Sequence, residues 1–247
     1  MVAVWQLRDG LTRAAIRHRT GALRELQDGV FLTGHAPPNR RQQMWAAALS
    51  APGRVISHAS AGHTYGFRPW TSAFETVTEP GSGGPRRLSS LLVCRASTLR
   101  GNTTELRGLP ITTAERALAD LASGLNDADL DRATREALRL RVTTCARIHA
   151  MLAVAAPRNR PRRLATLASR YARLPLARAR SDAEAYAAAF LDAANRPIPA
   201  LNARIAGHRA DLEIQLRWER AGWTVDRLPT GDAYDRPERL LALAPTH

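Results

Sequence analysis

Thr12-Arg13-Ala14-Ala15-Ile16-Arg17-His18-Arg19-Thr20-Gly21, then Leu23-Arg24-Glu25-Leu26-Gln27-Asp28-Gly29-Val30-Phe31-Leu32-Thr33, is the stretch on which the reading of the whole chain turns. Thr12 stands where a helix N-cap belongs, because its hydroxyl can accept a backbone N–H that the first helical turn leaves free. A helix is predicted from Arg13 to about Thr20, ended by Gly21. Leu11, Ala15 and Ile16 then face inward, and Arg13, Arg17 and His18 face outward. Leu23 to Leu26 and Val30 to Thr33 read as two strands. They are joined through Gln27-Asp28-Gly29, and Asp-Gly supplies the positive φ that a tight hairpin needs. Ahead of the helix, Trp5 to Asp9 reads as a short helical turn stopped by Gly10.

A helix pair followed by a hairpin is the plan of a winged helix, whose second helix enters a groove of duplex DNA. Arg13, Arg17, His18 and Arg19 are the residues expected to touch DNA from that helix, with Arg24 as a contact from the wing. The competing reading is a solvated face in an arginine-rich protein. The chain has 36 basic residues against 22 acids, a net charge of +14, and every basic residue is arginine. Arginine identity therefore says little, whereas charge balance says more. Residues 1–34 carry a net +2, 35–156 a net +6, 157–181 a net +8, and 182–247 a net −2. A strongly basic surface favours a polyanionic partner, here double-stranded DNA.

Outward from the first segment, residues 35–75 are predicted as mainly helical. They hold a helix from Arg41 to Leu49, a short strand Val55-Ile56, and a helix His58 to Tyr65 capped by Ser57 and closed by Gly66. Residues 76–112 read as β-rich. Thr76 to Thr78 and Ser90 to Val93 are strands, with a flexible loop Glu79 to Arg87 between them, and Leu106 and Leu109 to Ile111 continue the pattern. Helices follow at Ala114 to Ala122, Asp127 to Leu140 and Thr143 to Val154. Pro157 to Arg163 is a basic, proline-interrupted linker. The tail reads helix (182–194), two strands (198–205 and 209–214), helix (215–221), strand (223–228) and a last helix (237–243). The expected fold class is α+β: a winged helix over 1–34, a mixed α/β middle domain over 35–156, a basic linker over 157–180 and a shortened domain over 181–247.

No apolar run reaches the roughly 20 residues that span a bilayer, so no membrane partner is expected. Met1 to Gly10 lacks the charged-then-apolar order of a secretory signal. Cys94 and Cys145 have no ligand-like spacing, so neither a zinc site nor a disulfide is expected, and the cytoplasm is the expected location. His35, His58 and His63 read as packing or surface groups, since no acid lies near them in sequence. Ser57 reads as a cap, and Trp218 and Trp223 as core. Arg158, Arg160, Arg162 and Arg163 suit either a clamp on DNA backbone or a solvated linker.

Gly10 to Arg17 with Gly29-Val30-Phe31, Val55 to Ala61 with Tyr65-Gly66-Phe67-Arg68, and Gly108 to Leu121 together resemble AbiEi-type antitoxins of type IV toxin–antitoxin systems. Ser181-Asp182-Ala183-Glu184, Asn202 to Gly207, Ala210-Asp211-Leu212 and Arg217 to Trp223 are similar to a domain of unknown function related to very-short-patch-repair endonucleases. The first resemblance implies a DNA-binding transcriptional regulator with a cognate toxin as a further partner. The second implies a restriction-endonuclease-like fold whose metal-binding carboxylates map to Glu184 and Asp211. A further acid is expected on the next strand, but Glu213-Ile214 is all that remains of it. Asp211 and Glu213 sit two apart, on one strand face, with Cβ atoms about 6–7 Å from each other. Cleavage needs carboxylates from different strands around an open coordination site. The tail is therefore expected to be a nuclease relic without a cofactor. The alternative is an endonuclease that uses Mg²⁺ at Glu184, Asp211 and Glu213.

Overall fold

A computed structural model of the chain describes every residue except 9, 34–35, 70–71, 89, 156–160, 199–200, 202–233 and 244–247. The protein is mixed α+β and divides into two compact units. One comprises Met1–Asn126 with Ala153–Pro161, the other Asp127–Leu152 with Arg162–His247. Neither boundary falls at 34 or 156. The N-terminal segment belongs to the same unit as the middle sheet, and the helices expected to close the middle domain begin the second unit.

The first unit opens with β1 (Val2–Ala3), α1 (Val4–Leu7), α2 (Arg13–Thr20), β2 (Arg24–Gln27) and β3 (Val30–Leu32). The three strands form an antiparallel sheet in the order β1-β3-β2. Gly29 takes φ +71°, the left-handed turn that the Asp-Gly pair predicts. β1 was not expected from sequence: a two-residue strand shows no period of its own. It exists because Val2 lies opposite Phe31 and Ala3 opposite Val30. Ala3 and Val30 pack with Ala46 of α3 (Arg40–Leu49) in a small core bordered by Trp5, Leu26 and Leu49. The Trp5 indole N–H donates to the Leu49 carbonyl at 2.6 Å. Asn39 and Gln42 start α3 with a reciprocal capping box.

The remaining strands are β4 (Val55–Ile56), β5 (Glu75–Pro80), β6 (Arg86–Leu88), β7 (Leu91–Ala96), β8 (Thr103–Leu106) and β9 (Leu109–Thr112). They form a mixed six-stranded sheet in the order β6-β7-β5-β4-β9-β8. Val93, Val77, Ile56 and Ile111 stand in register across four adjacent strands, and all are fully buried. Each such side chain contributes roughly 1.5–3 kcal/mol of apolar burial, so this row is the spine of the unit. Helix α4 (His58–Tyr65) packs on β5 and on α5 (Ala114–Leu121). The loop expected over Glu79 to Arg87 is shorter than predicted, because β5 runs on to Pro80 and β6 begins at Arg86.

The second unit contains α6 (Asp127–Arg139), α7 (Cys145–Val154), α8 (Arg162–Tyr171), a 3-10 turn at Leu176–Arg178, α9 (Asp182–Ala193) and α10 (Glu238–Leu243). Helix α8 corrects the linker expected over 157–180 within residues 162–171. Leu164, Ala168 and Tyr171, spaced four and three apart, are buried, so this part of the span is an amphipathic helix. The linker expectation followed the arginines and overlooked that period. Helices α6 and α9 enclose a network of charges. Arg135 is almost completely buried between Asp131 and Asp182, with its guanidinium 5.0 Å from the Tyr186 ring centre. Tyr171 donates its hydroxyl to Asp131, and Tyr234 donates to Asp182 at 2.6 Å. Burial first, and then the hydrogen bond to Asp182, push the Tyr234 hydroxyl up to about 12. Of the strand expected over 198–205, only Ile198 and Leu201 are described, and neither is in a strand; the strands expected over 209–214 and 223–228, the helix 215–221, Trp218, Trp223, Asp211 and Glu213 lie outside the described residues, as do His35, Arg158 and Arg160.

Candidate nucleic-acid interface

Helix α2 begins as the sequence predicts: the Thr12 hydroxyl accepts the Ala15 N–H at 3.3 Å. Ile16 and Thr20 turn inward, and the Thr20 hydroxyl donates to the Ile16 carbonyl at 2.9 Å. Pinning that face leaves Arg13, Arg17, His18 and Arg19 exposed. Arg13 and Arg17 are one turn apart and share a face. No acid lies in the first turn, and Arg17, His18 and Arg19 form a basic last turn, where positive charge suits the helix dipole. Arg24 is exposed at the start of β2. The carboxylate of Glu25, the next residue along β2, accepts the Gly29 N–H at 2.8 Å. Among the described residues, no carboxylate pairs with Arg13, Arg17, Arg19 or Arg24.

The structure gives the other sequence candidates different surroundings. Glu184 sits in the first turn of α9. Its backbone N–H donates to the Ser181 hydroxyl at 3.2 Å, and its carboxylate accepts the Arg180 N–H at 2.8 Å. That is helix capping by both ends of one residue. Arg162 and Arg163 belong to α8, and Arg163 lies 2.6 Å from Asp127. Among the described residues, no group of three histidines, cysteines or carboxylates could hold a metal ion.

Ser57 departs from its expected role. It occupies the N-cap position of α4 but makes no capping hydrogen bond. Instead it accepts from the Thr78 hydroxyl at 2.8 Å and lies 3.0 Å from Nδ1 of His58. His58 also has an acid partner that sequence proximity could not reveal. Asp120, on α5, places Oδ2 3.8 Å from the same Nδ1. One ring nitrogen faces both serine and aspartate, so the relay of a hydrolytic triad, which uses both nitrogens, is absent. Burial pulls the His58 imidazole below its ordinary value, Asp120 pulls it up, and Arg116 pulls it down again. On the other side of α4, the Ser60 hydroxyl donates to Glu75 at 2.7 Å and Arg40 pairs with Glu75 at 2.9 Å. Burial nevertheless outweighs both partners and pushes the Glu75 carboxyl up. These clusters tie α3, α4 and α5 to the sheet, and Arg40 and Glu75 also line a cavity of about 380 Å³ shared with Arg24 and Gln27 of β2. Neither a family model nor a curated protein matches this chain.

Proposed function

We propose that this chain binds duplex DNA through α2 and the β2–β3 hairpin, acting as a winged helix, and that it is a transcriptional regulator of the antitoxin type. The observation that carries the reading is the row of exposed arginines on α2, which no carboxylate pairs with among the described residues, beside the exposed Arg24 of an adjoining hairpin. The strand order β1-β3-β2 and the helix pair ahead of the hairpin support it. Helix α2 enters the major groove, with Arg13 and Arg17 directed to guanine edges or phosphates. Arg24 meets the backbone from the hairpin. The antitoxin part rests on the ordered motifs of residues 10–17, 55–61 and 108–121, and it implies a cognate toxin as a second partner.

The experiment is fluorescence anisotropy with the DNA upstream of the protein's own gene, over a salt series. Four neutralised phosphates give a slope of log K against log salt of about −3.6. The double variant Arg13→Ala with Arg17→Ala is expected to flatten the slope by about 1.8. Absence of binding at about 50 mM salt, or a double variant that binds like the parent, rejects the reading.

A further inference from the structure

Around Glu79 of β5, three arginines from three different elements share one carboxylate. Arg54 contacts Glu79 through Nε and Nη2, both at 3.0 Å from Oε2. Arg86 on β6 and Arg95 on β7 each reach Oε1 at 3.1 Å. Arg54 is buried, and its remaining Nη1 donates to the Ser50 hydroxyl at 2.7 Å. It is a fixed strut beneath the cluster. The side chains of Arg86 and Arg95 are 43% and 34% exposed, and Arg95 Nη1 also reaches the Ser82 carbonyl at 3.5 Å. One negative charge among three positive ones leaves a local excess of +2.

The loop that borders this cluster is Gly81-Ser82-Gly83-Gly84-Pro85, with no acid and no bulky side chain. Gly83 has φ +117°, which L side chains rarely adopt, and a Cβ there would come within 3.2 Å of Arg95 Nη1. The loop backbone thus lies against Arg95, and the lack of a side chain at Gly83 keeps the guanidinium partly exposed. Partial burial raises the Glu79 carboxyl, but hydrogen bonds from Arg54 and Arg95 and the charges of Arg54 and Arg86 outweigh it and hold it below the usual carboxylate range. Glu79 stays ionised and acts as the hinge on which two exposed forks are oriented.

We propose that Arg86 and Arg95, oriented by Glu79, form a second contact with the phosphate backbone of duplex DNA, additional to that of α2. The proposal rests on the DNA-binding reading above. Arginine forks held in place before a ligand arrives suit the planar, two-point recognition of phosphate oxygens. Protection of the sheet edge explains arginines on β6, the edge strand. It does not explain why Arg95 of β7 and Arg54 turn to the same carboxylate. Arg87 is outside the proposal, because its guanidinium lies over the Phe74 ring at 4.8 Å.

The test uses the full chain, the same upstream duplex and the same salt series. Arg86→Ala with Arg95→Ala is expected to flatten the salt slope by about 1.8 and to weaken binding roughly 10- to 100-fold at 0.1 M salt. Arg86→Lys with Arg95→Lys is expected to keep the slope, because both charges remain, whereas a role confined to packing around Glu79 would leave the slope unchanged in the alanine pair as well. If the parent binds, Arg13→Ala with Arg17→Ala weakens it and Arg86→Ala with Arg95→Ala does not, this proposal fails and the α2 reading stands. If the α2 variant binds like the parent while the Arg86/Arg95 variant loses affinity, the α2 reading fails and this surface stands. A parent that binds no DNA overturns both.

Discussion

The arginines of α2 and those of the second unit are the same chemical group in opposite settings. On α2, Arg13, Arg17 and Arg19 have solvent around them and no carboxylate among the described residues. In the second unit, Arg135 lies between Asp131 and Asp182, Arg139 contacts Glu136, Arg163 contacts Asp127 and Arg173 contacts Asp192. Net charge along the sequence ranks these regions the wrong way round. Residues 157–181 have the highest net charge of any segment, +8, yet acids of α6 and α9 meet several of those arginines. What a polyanion can use is the charge left unpaired after folding, and folding brings in acids from distant parts of the chain.

The sharpest way to break this contrast is to remove one arginine from each region and measure stability. Arg135→Ala leaves Asp131 and Asp182 without their buried cation, and it is expected to destabilise the protein by about 3–5 kcal/mol. Arg13→Ala and Arg17→Ala are surface changes, each expected to stay within about 0.5 kcal/mol. Chemical denaturation followed by far-UV circular dichroism separates the two. Similar losses for both would mean that the α2 arginines carry structural load. The DNA measurement should invert the ranking. Arg163→Ala with Arg173→Ala should leave the salt slope unchanged, whereas the α2 pair should flatten it by about 1.8. A flattened slope from the second-unit pair would show that its ion pairs open to meet phosphate.

A finer comparison uses the two helix caps. Thr12→Ala and Ser181→Ala each remove a hydroxyl that accepts a first-turn N–H, at an expected cost of about 1 kcal/mol. Thr12→Ala should also weaken DNA binding, since it frays the helix that presents Arg13. Ser181→Ala should change stability alone. Glu184→Gln keeps an acceptor for the Arg180 N–H and should lose little stability, as a capping group allows and a metal-ligating carboxylate would not.

The same contrast shows which parts of the fold were legible. Thr12, Gly21 and Asp28-Gly29 act within a few residues, so α2 and its hairpin could be read from sequence almost to their ends. The exposure of Arg13 and Arg17 followed from helical period once Ile16 was placed inward. β1 could not be read, because Val2 and Ala3 become a strand only opposite Phe31 and Val30. Nor could β6, which exists through pairing with β7. In α8 the apolar period of Leu164, Ala168 and Tyr171 was present, but the arginines between them obscured it. The partners that decide the chemistry of His58 and Arg135 come from other elements: Asp120 lies 62 residues from His58 and Asp182 lies 47 from Arg135. Local sequence carries no signal for either contact.

The smallest expected effect concerns pH, and it falls on neither arginine region. His58 is held neutral in the folded protein, chiefly by burial, below its ordinary value of 6.5. The unfolded chain takes up a proton at about that value, and the folded chain does so only at lower pH. Stability from this group is therefore complete above about 6.5 and is lost as pH falls through that value toward the folded one. Glu75 works in the opposite sense. Its folded carboxyl is raised by burial, so the folded state binds a proton first and gains stability as pH falls toward 4.5, the ordinary value. His58→Gln should therefore reduce the loss of Tm between pH 7.5 and 5.5, and Glu75→Gln should enlarge the loss as pH falls on toward 4.5 by removing the opposing gain. DNA affinity of His58→Gln should match the parent at both pH values, because His58 belongs to α4 and not to α2 or the β2–β3 hairpin. An affinity change in His58→Gln would mean that the His58–Asp120 pair shapes the DNA-binding surface, and that the sheet and α2 respond as one element to its protonation.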